Sequence, residues 1–389
     1  MARPTNIQNQ KLQERPTGID LFAGVGGMSL GFEQAGFNVA AAVELDPINV
    51  ATHKHNFPHC NTIQADLSRL SGRSLLEKAN LSAGSVDVVF GGPPCQGFSL
   101  IGKRQVQDER NQLLFHFARL VREIEPAYFV LENVPGLLLG DAIASFRSFR
   151  QRIRKAGYDI VEPVRILNAM EFGIPQNRQR VFLLGFKKGV PRPQYPEPVF
   201  SLNDRKTRPM PTVWEAIGDL THIDKCPNTL QSDRYTGKIG APSVYVKSLG
   251  DRNTAAGNCQ SQSIPNNPGL GGCFRTNHSR TTRRRFAATA PGAAENISRY
   301  YRLDRNGVAP TLRAGTGPDH GSHTAARPIH PTEPRCITTR EAARLHSFPD
   351  WFEFHPTKWH GFRQVGNSVP PLLARAVAIK LITTLSESI

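Results

Sequence analysis

The chain has 389 residues, with 48 lysines and arginines against 32 aspartates and glutamates, so its formal net charge at pH 7 is +16. Such a basic excess favours a polyanionic partner, most often nucleic acid, although the charge could also serve solubility alone. The sequence shows no uninterrupted apolar run long enough to cross a membrane, and its polar start lacks the apolar core of a secretory signal, which argues against membrane and exported proteins.

Short apolar strands alternate with amphipathic helices over the first half of the chain. The predicted strands are Ile19–Phe22, Val39–Val43, Val86–Phe90, Tyr128–Leu131 and Val181–Gly185. The predicted helices are Met28–Ala35, Gln112–Glu123 and Ala142–Lys155. This alternation predicts an α/β fold with a doubly wound, Rossmann-like parallel sheet covered by helices.

After about Gly189 the composition changes to one rich in Pro, Gly, Ser, Asn and Arg, and only Val213–Leu220 keeps a helical pattern. A disordered linker is the alternative, but it would be long for a compact protein. Helical patterns return at Thr339–His346 and Pro371–Ser386. We therefore predict a flexible arm at 1–17, the first part of the α/β domain at 18–189, a smaller loop-rich domain at 190–330 and a return segment at 331–389.

The six cysteines include no C-x-x-C pair, which argues against a zinc finger and, with the size of the chain, favours a reducing cytosol. One cluster has residue types that bind metals, and we expect it in a polar loop beside Pro58: His53, His55, His59 and Cys60. We predict no metal.

A strand, a glycine-rich turn and a helix follow one another at Asp20–Gly27. Glycines there allow a tight bend and a close approach to a ligand. Glu44 ends the next strand about 20 residues on, where an acid can hydrogen-bond the ribose of an adenosine. Asp66 could accept from an adenine amine, although both acids could equally be solvated loop residues. Ser29, where a dehydrogenase has its third glycine, argues against that class.

Cys95 follows the strand Val86–Phe90, within the run Gly91–Ser99. Ligands of open α/β sheets bind beyond the carboxyl ends of the strands, so this position favours a nucleophile over a packing cysteine. Glu132 follows the next strand along. Arg178 and Arg180 precede the strand at Val181 and should point the same way, though alone they could be surface charges.

Taken together, these segments resemble the DNA (cytosine-5)-methyltransferase family over most of the chain outside 190–330. The order and spacing of the blocks match as well as their residues. The matching blocks are DLFAGVGG from Asp20, Glu44, Asp66, GGPPCQGFS from Gly91, ENV from Glu132, QNRQR from Gln176, TREAARLHSFPD from Thr339 and GNSVPP from Gly366. His346 stands where this family often has glutamine.

The resemblance implies a mechanism in which the thiolate of Cys95 attacks C6 of cytosine and makes C5 nucleophilic. Glu132 would hydrogen-bond and protonate N3. Arg178 would hold the base carbonyl and help position Glu132 and Cys95, and Arg180 would support them. The methyl donor implied is S-adenosylmethionine. Its binding residues by resemblance are Phe22, Gly24, Gly26, Glu44, Asp66, Pro93, Asn367 and Ser368.

The resemblance also implies double-stranded DNA as substrate, with the target base flipped out of the helix. The polar stretch Leu100–Asn111 is similar to a mobile loop that closes over the base, and 190–330 takes the place of the target-recognition domain. The candidate DNA-binding residues are Gln96, Ser99, Arg104, Arg283, Arg284 and Arg313. A solvated basic surface is the alternative for each arginine, although arginine is the residue that most often reads guanine.

Two other functions remain open. A tRNA-cytosine methyltransferase of the same fold would carry Cys-Phe-Thr in its recognition region, where this chain has Cys273-Phe274-Arg275. A non-catalytic DNA-binding regulator would be expected to lose Cys95, Glu132 or Arg178. The favoured reading is a monomeric, cytoplasmic, bacterial modification enzyme, with a cognate restriction endonuclease acting separately as an open partner.

Overall fold

The computed structural model describes residues 15–94, 112–140, 142–201, 208–250, 269–315 and 327–387. Several predicted site residues lie outside this part of the chain: Cys95, Gln96, Ser99, Arg104 and the stretch Leu100–Asn111.

An eight-stranded sheet forms the centre of the described structure. Its strands are β1 (Thr17–Leu21), β2 (Asn38–Glu44), β3 (Asn61–Gln64), β4 (Val88–Gly91), β5 (Tyr128–Asn133), β6 (Tyr158–Ile160), β7 (Arg165–Asn168) and β8 (Gln179–Lys187). The order is β3-β2-β1-β4-β5-β8-β6, and β7 also pairs with β8. Neighbours among β1 to β5 are parallel, whereas β8 is antiparallel to β5, β6 and β7. The predicted α/β, Rossmann-like fold is confirmed, with an antiparallel edge that the sequence did not indicate.

Helices cover both faces of the sheet. They are α1 (Gly27–Ala35), α2 (Pro47–Asn56), α3 (Gly72–Ala79), α4 (Gln112–Ile124), α5 (Ala142–Lys155), α6 (Val213–Ile217), α7 (Val244–Ser248), α8 (Arg280–Ala288), α9 (Thr339–Leu345), α10 (Lys358–Asn367) and α11 (Pro371–Ser386). Short 3-10 turns occur at Pro135–Leu138, Ala169–Phe172, Gly218–Lys225 and Pro227–Leu230. The bounds predicted for α5 and α11 agree with those observed.

The prediction of a polar loop around His53 is wrong, because His53 and His55 belong to α2. Asp46 caps this helix by accepting a hydrogen bond from the backbone nitrogen of Ile48, and Pro47 occupies its first turn. The helix buries polar side chains, His53 among them, and therefore lacks the apolar stripe that marks a helix in a sequence.

Two large apolar clusters lie on the two faces of the sheet. On one face, Leu30 and Phe32 of α1 share a cluster with Leu373 and Val377 of α11. On the other, side chains of α3, α4 and α5 pack together, for example Leu75, Phe117 and Phe149. The last helix therefore packs against the first one, and the two ends of the chain share a core.

The segment 190–330 is only partly separate from this core. Val213, Ala216 and Ile217 of α6 are buried in the same cluster as α1 and α11. Two small clusters stand apart from it: one consists of Leu220, Ile223, Tyr235 and Cys273, and the other of Phe286, Ile329 and Cys336.

One helical stretch, Lys358–Ser386, is long and apolar enough to cross a membrane by length and composition alone, which the sequence did not suggest. In the fold, 56% of its most apolar window is buried inside the protein. Buried core helices of soluble proteins pass the same test, and α11 packs against α1 in this way.

Candidate active site

A cleft opens where β1, β4 and β5 end and where α10 meets them. It encloses about 600 Å³ of space not filled by atoms, part of it open solvent. The lining includes residues predicted from the sequence, namely Phe22, Gly24, Glu132, Asn367 and Ser368. It also includes residues that the sequence did not single out, namely Asp20, Asp46, Asn49, His360, Arg363 and Gln364. The structure thus brings the glycine turn, the acid of β5 and the GNS segment to one place.

The glycine turn is fixed to Glu44 by backbone hydrogen bonds. The backbone nitrogen of Gly24 donates to Oε2 of Glu44 at 2.8 Å, and that of Asp46 donates to Oε1 at 2.8 Å. Gly26 has φ +98°, and a Cβ there would lie 2.3 Å from the ring of Phe57. Glu44 is thus held against the turn that lines the cleft, and position 26 accepts only glycine.

Four of the predicted cofactor residues do not line the cleft: Gly26 and Glu44, which belong to the turn and its anchor, and Asp66 and Pro93. Asp66, beyond β3, accepts a hydrogen bond from the backbone nitrogen of Ser68 at 2.8 Å, and the bonds to Ser68 lower its pKa. Pro93 is buried, and its carbonyl accepts a hydrogen bond from Asn133 Nδ2 at 3.1 Å. Asn133 therefore holds the chain two residues before Cys95.

A buried polar chain, which no sequence pattern predicts, leads from the cleft into the core. Oδ2 of Asp20 lies 2.6 Å from Ser29 Oγ, which lies 3.1 Å from Nε2 of His53. Nδ1 of that histidine is 2.8 Å from Thr62 Oγ1. Burial raises the pKa of Asp20 to about 8 and lowers the pKa of His53 to about 3. Ser29, which breaks the dehydrogenase pattern, is thus a link in this chain.

Glu132 is the residue before the last of β5, and its carboxyl lies at the floor of the cleft. Nε of Arg180 lies 2.9 Å from Oε1 of Glu132. Burial raises the pKa of Glu132, although Arg180 and Arg178 act in the opposite direction. A Cβ on Gly92 would lie 2.7 Å from Oε2 of Glu132, so the glycine lets the backbone before Cys95 come close to this carboxyl. A buried carboxyl with a raised pKa is suited to donate a proton.

Arg178 does not stand where the sequence placed it. Its guanidinium is buried and donates to the backbone carbonyls of Leu312 at 2.9 Å, Gly366 at 2.9 Å and Ser368 at 3.0 Å. The ion pair with Glu132 is made by Arg180 instead. The hydrogen bonds of Arg178 thus hold a joint between three chain segments, and Arg180 makes the direct contact with Glu132.

Gln176 and His346 complete this joint. Gln176 accepts a hydrogen bond from the backbone nitrogen of Leu312 at 3.2 Å and donates to Nδ1 of His346 at 2.9 Å. Nε2 of His346 donates to the carbonyl of Ser368 at 2.9 Å. Burial lowers the pKa of His346 far below its usual value, which keeps it in the neutral form that these partners require. His346 thus holds the segment that contributes Ser368 to the cleft.

The predicted DNA-binding arginines that the structure describes are exposed. Arg283 and Arg284 lie on α8, and Arg313 follows the bridge at Ala309. Other arginines of the segment are used inside the protein. Arg302 donates to carbonyls at the end of α8, including that of Thr289 at 2.8 Å, and Arg275 pairs with Asp224 at 3.2 Å. The exposed arginines are thus distinct from those that bond inside the protein, and the sequence alone cannot tell which arginine belongs to which group.

Within the described ranges, no group of three or more His, Cys, Asp or Glu side chains could hold a metal ion. His53 is hydrogen-bonded within the chain leading to Asp20, and His59 pairs with Glu33.

Comparison with known proteins gives consistent matches along the chain. A family model described as C-5 cytosine-specific DNA methylase matches residues 17–383. The Type II methyltransferase M.XorII of Xanthomonas oryzae pv. oryzae is 48% identical over 373 residues, which cover 96% of this chain and 86% of the relative. The Type II methyltransferase M1.HphI of Haemophilus parahaemolyticus is 33% identical, with 93% and 85% covered.

Solved structures agree in fold. A crystal structure of a candidate DNA modification methyltransferase encoded within an E. coli prophage matches with a TM-score of 0.77 and 37% identity, covering 95% of this chain and 99% of that one. The Dnmt2 methyltransferase of S. pombe matches with a TM-score of 0.56 and 15% identity, which is a similarity of fold alone.

Proposed function

Because the chain belongs to the C-5 cytosine-specific DNA methylase family, and is thus a DNA (cytosine-5)-methyltransferase, we propose that it acts through a covalent bond between Cys95 and C6 of a flipped-out cytosine. The observation that carries this mechanism is the pair Glu132–Arg180, 2.9 Å apart, in the cleft that also contains the glycine turn. Gly92 approaches Glu132 three residues before Cys95, which supports a nucleophile close to this carboxyl.

The cleft fits S-adenosylmethionine. A Cβ on Gly24 would meet no atom within 4 Å, so the turn faces open space, while Glu44 is held beside it for the ribose hydroxyls. Phe22 is half-buried at the cleft and is suited to contact the adenine. Gly26 shapes the turn, and Asn367 and Ser368 line the cleft. Asp66 and Pro93 remain cofactor residues by resemblance alone. When bound, the cofactor supplies a methyl group on a sulfonium.

The residues of the chain activate the base. The Cys95 thiolate adds to C6 while Glu132 gives a proton to N3, so that C5 becomes nucleophilic. Arg180 holds the carboxyl of Glu132, and Arg178 holds the backbone of the cleft. Once C5 carries the methyl group, its proton passes to solvent water in the cleft, N3 gives its proton back to the Glu132 carboxylate, and β-elimination releases the Cys95 thiolate.

DNA binds across the cleft in this proposal. Arg283, Arg284 and Arg313 are exposed and suited to contact phosphates or base edges, and Gln96, Ser99 and Arg104 would follow the nucleophile into the DNA. The printed names of the relatives are those of Type II methyltransferases. We therefore assign the chain to a bacterial restriction-modification system, as a cytoplasmic monomer beside a separate endonuclease.

The test is transfer of a radiolabelled methyl group from S-adenosylmethionine to unmethylated duplex DNA. The native chain should label 5-methylcytosine, Cys95→Ala should abolish labelling, and Cys226→Ala, a half-buried cysteine outside the cleft, should retain it. Labelling by Cys95→Ala would remove the covalent mechanism. Labelling of tRNA and not of duplex DNA would move the substrate to RNA.

A further inference from the structure

Arg363 lines the cleft and has no role in the mechanism above. It lies on α10, one helical turn before Asn367, and the two side chains therefore share a face of that helix. Gln364 anchors the helix by donating to Thr52 Oγ1 of α2 at 2.9 Å. The position of Arg363 at the wall is thus fixed by the packing of α10 on α2.

The charges around the cleft are unequal. Three acids line it, namely Asp20, Asp46 and Glu132, and Arg363 is the sole arginine or lysine among the described lining residues. His360 also lines the wall, but burial lowers its pKa, and the neighbouring His355 and Arg363 lower it further. The cleft therefore offers one permanent positive charge to a ligand.

This charge is available for a ligand. The guanidinium of Arg363 lies 5.3 Å from the centre of the Trp359 ring, and within the described residues it forms no ion pair with a carboxylate. The side chain is half-buried at the wall. By contrast, Arg178 donates to backbone carbonyls and Arg180 pairs with Glu132.

We propose that Arg363 binds the α-carboxylate of the methionine part of S-adenosylmethionine and so selects the complete cofactor over adenosine derivatives that lack the amino-acid end. A guanidinium matches a carboxylate with two parallel hydrogen bonds, and a half-buried site strengthens them. Asp46, which also lines the cleft, suits the positive charges of the same ligand. This inference rests on the cofactor site of the proposed function.

The experiment measures binding of two probes to the full-length protein by calorimetry, without DNA. S-adenosylhomocysteine carries the amino-acid end, and 5′-methylthioadenosine lacks it. Arg363→Gln should weaken S-adenosylhomocysteine about 10- to 100-fold and leave methylthioadenosine unchanged. Arg363→Lys should recover part of the loss. Arg375→Gln, an exposed arginine on α11, is the matched control and should change neither.

Equal losses for both probes, or no loss for either, would overturn the proposal, with the Tm of each variant showing whether the fold is intact. Weaker binding of DNA with unchanged binding of both probes would overturn it in favour of a phosphate contact. If the native protein bound neither probe, the proposed cofactor site would be wrong. This outcome differs from failure of the Arg363 proposal, because it is seen in the native protein without any substitution.

Discussion

The floor of the cleft and the segment 190–330 are built on different principles. At the floor, Glu132 and Arg178 are buried and held by named partners from distant parts of the chain. In the segment, a small apolar cluster that includes Phe286 supports α8, whose Arg283 and Arg284 are exposed. The chemistry needs a fixed geometry, whereas a DNA sequence is read by side chains that can reach the grooves. The two regions should therefore respond differently to the same kind of substitution.

The largest effect is expected at the floor, from Glu132→Gln. The amide keeps the shape of the carboxyl but cannot protonate N3, so the rate of methyl transfer should fall about 10²- to 10⁴-fold. Binding of S-adenosylhomocysteine should hardly change. Single-turnover methyl transfer to a duplex containing the target site would measure the loss of rate and show whether it lies in the chemical step. A loss below about threefold would remove Glu132 from the chemistry.

Arg178→Met tests whether this arginine serves the structure. The buried carbonyls of Leu312 and Gly366 would lose the donor that Arg178 provides, and that of Ser368 would keep only His346, so we expect the free energy of unfolding to fall by about 3 kcal/mol or more. The matched change Arg313→Met, at an exposed arginine, should stay within about 0.5 kcal/mol. Urea unfolding followed by circular dichroism compares the two. Equal stability with lost activity would instead give Arg178 a direct role on the base.

The histidines behind the floor predict acid sensitivity. His53, with a pKa of about 3, and His346, with a lowered pKa, are neutral when folded, so their contribution is complete above about pH 6.5 and is lost as the pH falls below it. Below that pH, each histidine lowers the free energy of unfolding by about 1.4 kcal/mol for every pH unit. Asp20, with its pKa raised from 3.8 to about 8, acts oppositely, because its contribution is complete below about pH 3.8 and is lost as the pH rises from there to 8.

Urea unfolding at pH 7, 6 and 5 would measure the sum of these slopes. The free energy of unfolding should fall less steeply in His53→Gln between pH 6.5 and 5. The slope should decrease by about 1.4 kcal/mol per pH unit, which corresponds to one proton. An unchanged slope would mean that His53 is not neutral in the fold, or that its environment opens in acid.

The smallest effects are expected in the segment 190–330. Arg283→Ala and Arg284→Ala should each weaken DNA binding a few-fold at physiological salt and lower the slope of log K against log salt by about 1. The stability of the protein should not change, since both side chains are exposed. Fluorescence anisotropy of labelled DNA at several salt concentrations measures the affinity and its salt dependence. Loss for one DNA sequence only would identify a contact with a base.

The sequence predicted the elements whose pattern is local. The glycine turn, the strand ends at Glu44 and Glu132, and helices α5 and α11 lie where apolar periodicity and turn residues place them. It could not tell Arg178 from Arg180, because two like residues at alternate positions carry no signal for which one is enclosed. It also missed α2, whose buried side chains are polar, and Arg363, whose role depends on how α10 packs.

The joint made by Arg178 has a consequence for how the protein is made. Its guanidinium bonds span 134 residues to Leu312 and 190 to Ser368, and α11 must then pack on α1. During synthesis, Arg178 and the predicted nucleophile Cys95 leave the ribosome long before Leu312 and Ser368 have been made. The cleft therefore cannot take its final form until the segments around Leu312 and Ser368 have been synthesised and have packed against Arg178.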